Sequence, residues 1–150
     1  MHIFVKHFRE LSAEELYALL KLRSDVFIVE QKCAYPDVDG RDREAIHVWI
    51  ERDGDVIACL RVMDRGAESE HVSIGRVVAR DRGHGLGRML MEAGIRAAKD
   101  MFRAGNIYLE AQEYAAGFYE KLGFRRVSDP FVMDGIPHVR MLLDADREGE

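Results

Sequence analysis

Residues 73–98, SIGRVVARDRGHGLGRMLMEAGIRAA, constrain the fold of this chain more than any other stretch. They predict a strand, a glycine loop and a helix in direct succession. Ile74, Val77 and Val78 are β-branched, and the charged cluster Arg80-Asp81-Arg82 closes the apolar run. In Arg82-Gly83-His84-Gly85-Leu86-Gly87, three glycines fall within five positions. Leu86, Met89, Leu90, Ala93, Ala97 and Met101 then recur at helical spacing and define one apolar face. A glycine turn that opens a helix leaves backbone N–H groups unpaired at the positive end of the helix dipole, and such a site holds phosphate or another anion. Arg82 and Arg88 flank it with positive charge. A glycine turn with no ligand is the plain alternative.

Spacing narrows the choice of anion. The dinucleotide fingerprint Gly-x-Gly-x-x-Gly differs from the Gly-x-Gly-x-Gly found here, although Glu110 on the next strand would suit a ribose. A P-loop needs Gly-Lys-Ser/Thr, whereas Gly87 is followed by Arg88-Met89, with no hydroxyl for a magnesium ion. The loop instead resembles the Arg/Gln-x-x-Gly-x-Gly/Ala signature of the GNAT superfamily of N-acetyltransferases. That resemblance implies that the loop amides bind the pyrophosphate of acetyl-coenzyme A.

The chain has 150 residues, enough for one domain (1–150) with a sizeable core. Its net charge of -5 argues against a general nucleic-acid binder and is compatible with a cationic substrate such as an amine. Cys33 and Cys59 stand far apart without metal or disulfide spacing, and His2, His7, His47, His71 and His84 show no metal-ligand pattern, so no metal is expected. The opening residues MHIFVKHFREL lack the apolar region of a signal peptide, and no run approaches a membrane span. A cytoplasmic protein is expected.

Along the chain, His2–Phe8 alternates as a strand, and Ser12 to Glu15 is a capping box before a helix over Ala13–Val29 whose second half is unusually apolar. Tyr35 to Gly40 is turn-rich. Strands at Ala45–Glu51 and Asp55–Met63 flank a hairpin signal at Asp53-Gly54, and another runs over His71–Ala79. After the central helix, with a stop at Gly105-Asn106, come a strand over Ile107–Gln112, a short helix over Ala115–Leu122, and strands at Phe124–Val132 and His138–Leu143. The order β-α-β-β-β-α-β-α-β-β predicts an α+β fold with a mixed sheet of about seven strands flanked by helices. This order is similar to the GNAT fold, in which the sheet splays between strands 4 and 5 to admit the pantetheine arm.

A second segment carries the resemblance: Phe118-Tyr119 and Gly123-Phe124 fill the aromatic-Tyr-x-x-x-Gly-Phe pattern of these enzymes. In many of them the tyrosine protonates the departing thiolate, and a phenol of pKa about 10 is a proton donor at neutral pH. Leu16 to Arg23, Val26 to Gln31, Asp37 to Gly40, Ile74 to Val77 and Asp134 to His138 resemble the ElaA-like branch. The implied activity is direct transfer of acetyl from acetyl-CoA to a primary amine on a small molecule or peptide, with a homodimer as a possible assembly. The resemblance places the pantetheine along Val77, Val78 and Ala79, with the Val78 N–H at the carbonyl oxygen. The pyrophosphate and adenosine fall over Arg82, Gly83, His84, Gly85, Leu86, Gly87 and Arg88, near Ala115 and Phe118. Tyr119 is the candidate acid. Glu110 and His138 are candidate bases, with Glu30 a third and a water chain an alternative. Arg76 either faces the acceptor or pairs with a carboxylate. Two other readings stay open: a non-catalytic coenzyme A-binding module and a nucleotide-binding protein.

Overall fold

The structure is a computed structural model that describes residues 1–80, 83 and 85–147. Eight strands form one sheet: β1 (His2–His7), β2 (Ile46–Arg52), β3 (Asp55–Met63), β4 (Val72–Ala79), β5 (Asn106–Gln112), β6 (Arg125–Arg126), β7 (Phe131–Met133) and β8 (Ile136–Asp144). The spatial order is β1-β2-β3-β4-β5-β8-β6, with β7 also on the outer edge of β8. Every pairing is antiparallel except β4 with β5. The fold is α+β, as expected from the sequence. The count exceeds the expected seven because the strand anticipated over 124–132 is broken. Pro130 has no N–H to give a ladder, and Ser128 turns its hydroxyl to accept from the Arg140 N–H at 2.9 Å. Two short strands, β6 and β7, result.

Three α-helices cover the sheet: α1 (Ala13–Arg23), α2 (Leu86–Phe102) and α3 (Ala116–Lys121). The Ser12–Glu15 capping box forms in both directions, at 3.0 and 2.8 Å, and Lys6 ties Glu15 to β1 at 2.9 Å. The single helix expected to reach Val29 instead widens after Arg23 into a π-helical segment over Ser24–Glu30, closed by the Gln31 N–H on the Val26 carbonyl. Such wider turns recur at functional sites.

Two clusters make the core. On one face, α2 and α3 pack on the sheet around Leu60, Ile74, Leu90, Met91, Ile107 and Met141. On the other, Leu19, Leu22 and Val26 cover Trp49, Cys59 and Val78. The buried face of α2 differs from the one expected: Met89 and Met101 are exposed, while Met91, Gly94, Ile95 and Ala98 are buried. Gly94 sets this orientation. A Cβ there would stand 2.8 Å from Leu60 Cδ2, so a bare backbone lets α2 lie against β3. The helix stops at Arg103, which adopts φ 50 while Arg65 donates to the Phe102 and Arg103 carbonyls at 2.9 and 2.8 Å.

Candidate active site

The sheet forks. β4 and β5 pair only at Val72–Ile107 and Ser73–Tyr108, although β4 continues to Ala79 and β5 to Gln112. Across β3, the register shifts between Cys59 and Arg61, so that two steps of β3 match three of β4 from Val78 to Gly75. This is a β-bulge, and Arg76 within it holds φ 54, a left-handed conformation that non-glycine residues adopt at a cost. A cleft of about 630 Å³ occupies the fork.

Beyond the bulge, the Arg80 N–H donates to the Ile57 carbonyl at 2.8 Å, and Ala79 lies opposite Ala58. An antiparallel ladder alternates, so the Ala79 N–H and carbonyl turn away from β3 into the fork, while the Val78 N–H turns toward β3. The open edge of β4 is therefore a template for an added extended group. Val77, Val78 and Ala79 all line the cleft.

At its wide end the cleft meets the start of α2. Gly85 caps that helix with φ 75 and no side-chain acceptor, and the first intrahelical bond in this turn is Met89 N–H to Gly85 O at 3.0 Å. The amides just before Met89 are left for an anion. Gly83, Gly85, Gly87, Arg88, Ala115 and Phe118 line this end. Leu86 does not: its side chain is buried in the core, and only its backbone belongs to the loop. Gly87 is required by contact, since a Cβ would stand 3.2 Å from Phe118 Cζ. Arg88 is exposed and paired with Glu92 at 2.8 Å. Arg82 and His84 lie outside the described residues. With unused helix amides and an unused strand edge at one cleft, the residues fit a phosphorylated cosubstrate with an amide-bearing arm.

Tyr119 lines the cleft beside this end, with its ring edge-on to Phe118 at 5.1 Å and to Phe124 at 6.1 Å. Burial, and then the neighbouring Tyr114 phenol, push its pKa up to about 12. It is a neutral proton donor throughout the physiological range.

The opposite wall is polar. Side chains alternate along β5, so Tyr108, Glu110 and Gln112 share the face away from α2, with Leu109 and Ala111 in the core. His138 is buried opposite Gln112 on β8, and its Nδ1 lies 2.7 Å from the Ile136 carbonyl oxygen. A carbonyl only accepts, so Nδ1 carries the proton in the neutral ring and Nε2 keeps its lone pair. Glu110 and His138 both line the cleft; Glu30 is exposed and does not, its place taken by Phe27 and Gln31. Gln31 accepts from Gln112 at 3.2 Å, linking the π-helical segment to β5.

Arg76 pairs with carboxylates rather than standing free: Nε lies 2.9 Å from Asp37 Oδ1, and the guanidinium stacks on Tyr35 at 5.2 Å. It belongs to a buried network. Arg23 bonds Asp37 at 3.0 Å and Asp42 at 2.7 Å; Arg61 bonds Asp39 at 2.8 Å, Asp42 at 3.0 Å and Glu68 at 2.8 Å. Sequence reasoning missed this network. The signal was a lone arginine within each of two apolar runs, Leu22 to Val29 and Ile57 to Met63, since a charge in such a run requires a partner. Among the described residues no group of histidine, cysteine and carboxylate side chains is arranged to hold a metal.

A sheet forked at β4 and β5, with a glycine-opened helix at one end of the fork and a phenol on its wall, is the acyl-CoA N-acyltransferase fold. The chain belongs to the acetyltransferase (GNAT) domain family, which matches residues 12–145. It is 40% identical over 143 residues to a UPF0039 protein of Schizosaccharomyces pombe, covering 93% of this chain and 94% of that one. The crystal structure of Escherichia coli ElaA superposes with a TM-score of 0.89 at 34% identity, over 95% of this chain and 98% of that one. An acyl-CoA N-acyltransferase from Pseudomonas aeruginosa superposes equally well, TM-score 0.89, at 40% identity over 95% and 99%.

Proposed function

We propose that this protein transfers the acetyl group of acetyl-CoA directly to a primary amine. The observation that carries the reading is the fork itself: a strand edge with unused peptide groups runs from the helix amides at Gly85 to a polar wall with potential bases. In this reading the Ala79 peptide holds the pantetheine as an added strand and the amides opening α2 hold the pyrophosphate. The carbonyl oxygen meets a β4 N–H. Ladder alternation gives that role to Ala79 in place of Val78.

An amine acceptor is charged at neutral pH and must lose a proton before its nitrogen attacks the thioester carbon. His138 Nε2 and Glu110 are the bases on the acceptor wall. The C–N bond forms, the C–S bond breaks, and Tyr119 gives its proton to the departing thiolate. A thiolate leaving into the same apolar surroundings is raised by the same desolvation that raises the phenol, which keeps donor and acceptor matched. Cys33 and Cys59, both unpaired and buried, suit a reducing cytoplasm.

The test is thiol release from acetyl-CoA across a panel of amines, with Tyr119→Phe beside the wild type. An enzyme loses turnover in the variant while still binding acetyl-CoA. A coenzyme A-binding module would release no thiol in either form, and a nucleotide-binding protein would bind ATP but not coenzyme A.

A further inference from the structure

The acceptor wall carries more charge than a base requires. Ser73 and Tyr108 are parallel-register partners at the point where β4 and β5 part, so their side chains lie on one face, which Glu110 shares. Ser73 is 1% exposed, and its Oγ has no hydrogen-bond partner among the described residues, yet it lines the cleft. A buried hydroxyl left unmet costs free energy unless something else meets it. Tyr108 lines the same space. Its phenol is pushed up to about 12 by burial first and then by the carboxylates of Glu110 and Glu68, which places both acids near one hydroxyl. Glu68 comes from the turn before β4; Arg61 holds its Oε1 at 2.8 Å, and its Oε2 lies against Gly75.

The nearby cations are already engaged. Arg76 is paired with Asp37, and Arg140, across from Glu110 on β8, lies over the Phe131 ring at 5.2 Å. The pocket therefore offers carboxylate and hydroxyl oxygens. An alkylammonium has three donors and no acceptor, which matches that set. Ser73 stands three residues before Arg76, about 10 Å along a strand at roughly 3.3 Å per residue, so a group at Ser73 is remote from the open end of the fork where the thioester lies.

Resting on the acyl-transfer reading, we propose that Ser73, Tyr108, Glu68 and Glu110 bind a second ammonium of the acceptor. The acceptor is then a short diamine, with a spacer of about four to six carbons to suit that span. A carboxylate beside the second nitrogen, as in an amino acid, is disfavoured by Glu68 and Glu110.

The experiment compares 1,5-diaminopentane with n-pentylamine in kcat/KM for thiol release and in the Tm shift each amine produces. It uses the wild type, Ser73→Ala and Glu68→Gln. The diamine is expected to be preferred by about tenfold or more, mainly through KM, the size of one charge-assisted hydrogen bond. Both variants should bring that ratio toward one. Ser73→Ala removes an unmet buried hydroxyl and should keep its melting temperature, so its loss of preference is not unfolding. Equal kcat/KM for the two amines, with thiol release intact, overturns the diamine site and leaves acyl transfer standing. If no amine releases thiol, the Tm shifts decide. Greater stabilisation by the diamine, lost in Ser73→Ala, upholds the cation site and removes the transfer reading; equal shifts overturn the site as well.

Discussion

Arg61 is 1% exposed and faces Asp39, Asp42 and Glu68 within 3.0 Å, so no surface screening softens its loss. Removing one member of a buried ion network leaves uncompensated charge, and Arg61→Met is expected to cost about 3–5 kcal/mol in urea unfolding. The network also sets the acid limit of the fold. Burial opposes it, but the Arg61 hydrogen bonds, the Arg41 N–H and the Arg76 charge hold the Asp39 carboxyl well below its ordinary range. Asp42 is likewise held down, by Arg23 and Arg61. A carboxyl depressed in the folded state stabilises at pH above its unfolded pKa of about 3.9 and loses that contribution as pH falls toward the folded value. The urea midpoint is therefore predicted to be flat with respect to these groups near neutrality and to fall below about pH 4, less steeply in Asp39→Asn. Tyr119 has the opposite sign: raised to about 12, it remains protonated, so turnover should show no loss of the acid between about pH 7 and pH 10. Tyr119→Phe is predicted to lower kcat about 10²-fold while acetyl-CoA binding persists.

Among elements, α2 carries the site because two glycines let it approach its neighbours. At Gly87 the neighbour is the Phe118 ring, 3.2 Å from a Cβ. Gly87→Val should push that ring into the cleft and weaken acetyl-CoA binding by about tenfold or more, measured by titration, with the far-ultraviolet circular dichroism unchanged. At Gly94 the neighbour is Leu60 in the core, and Gly94→Leu is expected to destabilise by about 1–3 kcal/mol or more through overpacking. The strand, loop and α2 were legible in the sequence because the apolar period changes from two to helical across three glycines. The exact face of α2 was not, since a glycine on a helix reads as a weak position until its contact with Leu60 is seen. The π-helical turn at Ser24–Glu30 was hidden because its apolar residues suit an α-helix equally well. Pro130 did mark the break between β6 and β7, but the flanking Phe124 and Val132 masked it.

At the scale of the molecule, the fork brings together residues far apart in sequence: Glu68 from a turn, Ser73 from β4, Tyr108 and Glu110 from β5, His138 from β8. The cofactor end was legible because Gly83 to Arg88 is one continuous segment. The acceptor end was legible only in part. The alternation of Tyr108, Glu110 and Gln112 was present in the sequence, whereas the register that sets Ser73 beside Tyr108 exists only in the folded sheet. The arginine network ties the loop holding Tyr35, Asp37 and Asp39 to β3 and to the bulge of β4, so the acceptor wall and the strained Arg76 are held as one piece.

The most direct test of the central claim is thermal unfolding of the protein with and without acetyl-CoA, with Gly87→Val alongside. A ligand at a hundred times its dissociation constant adds about 2.7 kcal/mol, which raises Tm by several degrees in a chain of this size. The fork is predicted to give that rise, reduced in Gly87→Val. An unchanged Tm at millimolar acetyl-CoA would contradict it.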